Sequence, residues 1–435
     1  MKKKWIAALI CVCMAVLTCA CAAEPEKPVT PAQTEEKKET PEEAAERAKQ
    51  AKLDIISPSA YGNIDGLEVE PATYFSIIGK GGTEEYWKMV KAGAEAAVAD
   101  LNEALNYEGS DKVKVVYSGP GESDNVDEQV NILDEELARY PSALGIAVID
   151  SQSCNVQFDL AVQNGIPIIT YDSISSYQGI MANIATDNKK ASAEAATHMA
   201  EELDEKGQVL ILGHDSRSLT CKQRTESFAA EIQENYPGIS VTEIYYMDRL
   251  EDLKEGIARE RAGLPATDGE TAENKSEGSE TSEEDRKSGE TPEGVSEDDE
   301  TTDGAREEVP EEALQAITDE EVFEYIFEKN PDIKGVFATN GQAAMLIAKL
   351  CEEQEKEDLT IIGYDSDVEE IEALKDGKIA GLIVQNPYGM GYAAIVAEAR
   401  CVLESGNEAE VDTGYTWVTA DNIDSKEVQW MLYTK

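Results

Sequence analysis

Basic residues are scarce in this chain: 38 Lys and Arg stand against 89 Asp and Glu, for a formal net charge of -51. Phosphate contact requires clustered Lys and Arg, so nucleic acid and anionic membrane surfaces are excluded as partners. Histidine is nearly missing, with only His198 and His214 in 435 residues. Neither has metal-ligand spacing to a cysteine, and no metal and no cofactor is expected. Beyond residue 21 only Cys154, Cys221, Cys351 and Cys401 remain, without a CxxC among them. They read as isolated thiols, with room for one disulfide that spacing cannot assign. No nucleophile elbow occurs and no helix-turn-helix ringed by basic residues, which argues against a hydrolase and a DNA-binding regulator. After residue 21 no apolar run is long enough to span a bilayer.

What is there begins with MKKKWIAALICVCMAVLTCAC, three lysines followed by an uncharged apolar run bounded by small residues. That is the build of a secretory signal, so an extracytoplasmic protein is expected. Its Thr-Cys-Ala-Cys end resembles a bacterial lipoprotein cleavage box, with Cys21 as the acylated residue and Cys19 as the alternative. Two acyl chains at roughly 0.8 kcal/mol per methylene would anchor the protein to the membrane without a transmembrane helix. Residues 22–72 are rich in Glu, Lys, Pro and Thr and are expected to form a disordered tether. Residues 265–312 are almost free of aliphatic side chains and are expected to form an acidic disordered insert.

Elsewhere strand and helix patterns alternate. Residues 74–79, 113–117, 144–149, 166–171, 208–213, 239–247, 335–339, 359–364 and 379–384 read as buried strands. Helical stripes fill the intervals, as with Trp87, Val90, Ala94, Val98, Leu101 and Leu105. With 41% apolar residues there is material for two cores. The expected class is α/β, with two doubly wound parallel-sheet domains. Several strands end in polar side chains: Asp172 after PIITY, Asn340 after GVFAT, Asp365 after TIIGY and Gln385 after GLIV. Ligands gather beyond the carboxyl ends of such strands, so the pattern reads as a small-molecule cleft.

At these residues the segment from about position 73 onward resembles the type I periplasmic sugar-binding proteins of the ribose and galactose group. The stretches that carry the resemblance are YFSIIGKGGTEEYWKMVKAGAEAA, GIAVIDSQSCNVQFDLAVQNGIPIITYDS, NIATDN, CKQRTESF, GVFATNG and IIGYDSDVEEIEALKDGKIAGLIVQNPYGMG, in that order. The resemblance implies a hinged pair of domains, 73–184 with 386–412 and 185–385 with 413–435, and a ligand cleft between them. It implies that Tyr86 or Trp87 packs on a sugar's C–H face. It makes Asp172, Arg224, Asn340, Asp365 and Gln385 the hydroxyl-binding set and puts Met247 where a second stacking residue stands. Glu84 and Ser173 occupy positions where the ribose proteins have Asn and Arg, which argues against ribose itself.

The residue types suit a sugar. Hydroxyls both donate and accept, carboxylates and amides answer them in pairs, and an aromatic ring covers the C–H patch. The resemblance thus implies a monomeric lipoprotein that takes a monosaccharide and passes it to a membrane-embedded ABC permease. A binding protein reporting sugar to a membrane receptor or kinase is the alternative, and a glycosidase using Asp172 and Asp365 is a third. The sequence offers no apolar niche to raise one of those two pKa values, so no enzyme activity is expected.

Overall fold

The computed structural model describes residues 40–264, 309–354, 356 and 358–433. The signal segment with Cys19 and Cys21, and nearly all of the acidic insert, lie outside the described residues.

Within the stretch expected to be a disordered tether, residues 41–72 are structured. Helix α1 (Pro41–Asp54) opens on a proline and carries Glu42 and Glu43 in its first turn. A missing N–H is harmless there and the helix dipole favours acids. Leu53, Ile56, Tyr61, Leu67 and Val69 are buried in the core of the first sheet. The segment averages as polar, yet these five side chains are enough to dock it.

The first half then runs β1 (Tyr74–Ile78), α2 (Glu85–Leu105), β2 (Lys114–Ser118), α3 (Val126–Leu137), β3 (Ala143–Ile146), α4 (Asn155–Gln163), β4 (Ile168–Tyr171) and β5 (Ile180–Ala185). Strand β3 leaves its ladder three residues before the expected end. Beyond it the buried amide of Gln129 donates to the carbonyls of Gly79 and Ala147 and accepts from the Ile149 N–H.

The second half runs α5 (Asn188–Glu202), β6 (Gly207–Gly213), α6 (Leu219–Asn235), β7 (Ile239–Tyr246), α7 (Leu250–Ala262), α8 (Glu311–Gln315), α9 (Asp319–Lys329), β8 (Ile333–Ala338), α10 (Gly341–Glu353), β9 (Thr360–Tyr364), α11 (Val368–Lys375) and β10 (Gly381–Gln385). Helix α6 begins at Leu219, where the Ser218 side chain caps it by accepting from the Cys221 N–H. Arg224 consequently sits in its second turn. Helix α8 takes in Glu311 and Glu312, so the insert, expected to reach 312, gives way to helix sooner.

The chain closes with α12 (Pro387–Val402), β11 (Glu410–Asp412), β12 (Tyr415–Val418) and α13 (Lys426–Met431). One sheet has the order β11-β5-β4-β3-β1-β2 and the other β12-β10-β9-β8-β6-β7. All pairings are parallel except β10 with β12. The two sheets therefore repeat one α/β winding. Helix α12 returns to the first sheet and crosses α2 at Gly93 and Gly391, where a Cβ on either glycine would strike the other helix's backbone. The chain passes between sheets at 185–188, 385–387 and 412–415. Two of these crossings touch the N-terminal segment: the Asn386 side chain donates to the Lys52 carbonyl at 2.7 Å, and Ser57 pairs with Asp412. Among the described residues the four cysteines are free and no helix is long and apolar enough to cross a membrane.

Candidate ligand-binding cleft

Parallel strands bring their carboxyl ends to one edge of a sheet, and here the edges of both sheets line one cavity of about 130 Å³. Asp172 follows β4 and Asp365 follows β9, and the backbone treats them alike. Both adopt left-handed conformations, with φ of 57° and 79°. Each donates its backbone N–H to the neighbouring strand at 2.9 Å, Asp172 to Ile184 and Asp365 to Ile383. A residue with a Cβ held there costs about 1 kcal/mol, and Asp is among the few types that visit it. The same strain repeated at equivalent places aims both carboxylates into the cavity.

Behind them lies a buried network. The Arg224 guanidinium donates to Asn188 Oδ1 at 2.7 Å, to the Thr339 carbonyl at 2.7 Å and to Gln385 Oε1 at 2.8 Å. Its plane lies over the Tyr364 ring, 4.0 Å from the centroid. Gln385 passes the chain on, donating through Nε2 to Asp365 Oδ1 at 2.8 Å, where the Tyr433 hydroxyl also donates at 3.1 Å. Asp365 Oδ2 accepts from the Gly341 N–H at 3.4 Å. A charge and two amides are thus fixed before any ligand arrives.

On the first sheet's side the Tyr86 hydroxyl donates to Asp172 Oδ1 at 2.5 Å, and its ring meets Trp87 edge-on at 5.0 Å. Burial, followed by Asp172, raises the Tyr86 pKa well above that of a free phenol. Trp87 is 7% exposed and packs into the core, so Tyr86 is the more available ring. Glu84, which precedes α2, accepts from the Ser123 hydroxyl and from the Thr83 N–H. Burial opposes its charge, yet these donors outweigh burial and lower its pKa. Asn340 caps α10, its Oδ1 accepting from the Ala343 N–H at 2.9 Å.

The structure therefore brings Glu84, Tyr86, Trp87, Asp172, Arg224, Asn340, Asp365 and Gln385 to one cavity. It does not bring Met247 or Ser173 to the lining. Ser173 is fully buried and turns to Thr220, oxygen to oxygen 3.1 Å. Met247 opens a short 3-10 turn after β7 and packs on the second sheet's core. Cys221 is likewise buried, with its sulfur 3.6 Å from Thr339 Oγ1.

Lys80, Asp124, His214 and Asp367 also line the cavity, and the sequence reading missed them. His214 and Asp367 carried a signal, since each lies just beyond a strand end that was recognised. The His214 ring contacts Thr339 Oγ1 at 2.7 Å and Asp215 at 3.2 Å. Burial lowers its pKa, but Cys221 and Asp215 more than offset that and raise it to about 9. Burial opposes the charge of Asp215, but His214, and after it Lys80 from the first half, hold its carboxyl below the usual range. Among the described residues no group of His, Cys, Asp and Glu is suited to a metal ion.

The family described as "periplasmic binding protein domain" matches residues 75–260 and 295–401. Solved structures share the fold. A carbohydrate-transporter solute-binding protein of Agrobacterium radiobacter, in complex with D-arabinose, is 24% identical, with a TM-score of 0.58 over 83% of this chain and 98% of that one. An ABC transporter solute-binding protein of Agrobacterium vitis, bound with α-D-tagatopyranose, is 20% identical, with a TM-score of 0.61 over 83% and 100%. A sugar-binding protein of a Bacillus halodurans sugar ABC transporter is 22% identical, with a TM-score of 0.57 over 81% and 99%. No curated protein matches the chain. Matched over more than half its length, the chain belongs to the periplasmic binding protein domain family.

Proposed function

We propose that the protein is an extracytoplasmic solute-binding lipoprotein that captures one monosaccharide in the cleft and delivers it, unchanged, to an ABC permease. One observation carries the reading: carboxylates, amides, a guanidinium and a partly buried tyrosine ring from two separate sheets line a single small cavity. Sugar hydroxyls match those groups, and hydrogen bonds to charged partners contribute about 1.5–3 kcal/mol each. The similar proteins of Agrobacterium radiobacter and Agrobacterium vitis were solved with D-arabinose and α-D-tagatopyranose bound, which supports the same ligand class.

The residues proposed to bind are Tyr86, Asp172, Arg224, Asn340, Asp365 and Gln385, with Glu84 at the rim. A sugar touching both halves gains all its contacts only when the three chain crossings flex to close the cleft, so binding shifts the population toward the closed form. The monomer is anchored through lipid on Cys21, or on Cys19, and no bond of the sugar is broken. A thermal-shift screen of the mature protein against mono- and disaccharides tests the reading. A cognate sugar at a thousand times its dissociation constant should add about 4 kcal/mol of apparent stability. No shift across the panel would reject it. Mass spectrometry of the N-terminal peptide reads the acylated cysteine.

A further inference from the structure

The cleft has two unlike ends. At one end Arg224 has three acceptors and His214 has Asp215. At the other end Glu84 approaches from the first half and Asp367 from the second, both lining the same cavity. The charges felt by Asp367 there are Asp365, Glu85, Glu84 and Glu369, all negative. Glu370 stands behind it, 1% exposed, accepting from the Asp367 N–H at 3.0 Å through one oxygen. The other oxygen, Oε1, and Asp367 Oδ1 are both buried, and neither has a hydrogen-bond partner among the described residues. Closing the cleft forces these carboxylates together in a medium that screens them less than water does. A neutral hydroxyl answers one lone pair and leaves the repulsion standing.

We infer that the solute carries a protonated amine, as a hexosamine does, and that this amine sits between Glu84 and Asp367. An ammonium has three donors and no acceptor, which suits two carboxylates facing one cavity from opposite halves. Its charge removes the repulsion that opposes closure. The corner also opens into a wider groove of about 870 Å³ that shares Glu84, Gly341, Gln342 and Asp367 with the cleft and has Met345 and Leu346 on its wall. Substituents beyond the nitrogen have somewhere to go. Burial first, and then those like-charged neighbours, raises the Asp367 pKa to about 6, as expected of a carboxylate waiting for a cation.

The inference rests on the proposed sugar-binding function, and calorimetric titration separates the two. The mature protein is titrated at pH 7 with D-glucosamine and D-galactosamine, with the neutral parent sugars, and with the N-acetyl derivatives, which keep the nitrogen but lose its charge. The amine should bind at least about tenfold tighter than both its partners, the share of one charge-assisted contact. In Asp367→Asn, and independently in Glu84→Gln, the ratio of amine to neutral affinity should fall toward one. Binding of a neutral sugar as tightly as its amine by the wild type overturns this inference and leaves the parent reading intact. A ratio unmoved in both folded variants also overturns it. Binding of no compound in the panel overturns both.

Discussion

The Arg224 end and the Asp367 end of the cleft are built from the same strand-to-helix connections and yet solve burial in opposite ways. Around Arg224 each polar atom named has a partner in the protein, and the network is finished before a ligand comes. Around Asp367 the charges that raise its pKa after burial are all carboxylates, and two buried oxygens have no hydrogen-bond partner among the described residues. Burial of a charge is tolerated where it is answered and costs where it is not. The first end therefore behaves as a scaffold and the second as a receptor awaiting its complement.

The largest effect is expected from breaking the finished end. Arg224→Met leaves Asn188 Oδ1 and the Thr339 carbonyl without their donor and Gln385 Oε1 with the Thr186 hydroxyl alone, so chemical denaturation should show a loss of about 2–3 kcal/mol. Sugar affinity should drop by at least about a hundredfold in the same variant, read by titration. Next come the paired aspartates. Asp172→Asn and Asp365→Asn keep a side chain that tolerates the left-handed backbone while removing the charge, and each should cost about ten- to a hundredfold in affinity. Equal losses from the two halves support a ligand that bridges them. A loss confined to one half breaks the symmetry on which the reading depends.

His214 sharpens the comparison through pH. Its folded pKa of about 9 lies above its unfolded value, so the stability it contributes is whole below about pH 6.5 and is lost as pH rises through 9. Denaturation between those limits should show a decline of about 1–2 kcal/mol, flattened in His214→Gln. Asp367 runs the other way. Its folded pKa of about 6 also exceeds the unfolded value, but for a carboxyl this means that the charged form weighs against the fold above pH 6 and the penalty fades as pH falls toward 4. Asp367→Asn should therefore stabilise the unliganded protein at pH 7 by about 1 kcal/mol, after allowance for solvent screening, and by less near pH 4.

The sequence shows one end of the cleft better than the other, for a physical reason. Asp172, Asn340, Asp365 and Gln385 end apolar runs, and a parallel sheet turns the end of every such run toward one edge. Arg224 is readable only through the resemblance that CKQRTESF carries. Met247 follows an apolar run too, but the chain turns into a 3-10 helix at that residue and lays its side chain against the second sheet's core, away from the cavity lining. Tyr433, which donates to Asp365, arrives from the far end of the chain, so nothing local announces it. The N-terminal segment is hidden by averaging, because Leu53, Ile56 and Tyr61 are diluted among Glu and Lys and reveal themselves only by docking at the crossings. The doubly wound class was legible because strand and helix patterns alternate, and such units wind with right-handed crossovers.

The most direct test of the central claim is a crystal structure of the mature protein with the sugar that raises its thermal stability most. The account predicts one saccharide, hydrogen-bonded to Asp172 from the first half and to Asn340 or Asp365 from the second, with its C–H face on Tyr86. A sugar held by one half alone, or bound outside the cavity those residues line, would contradict it.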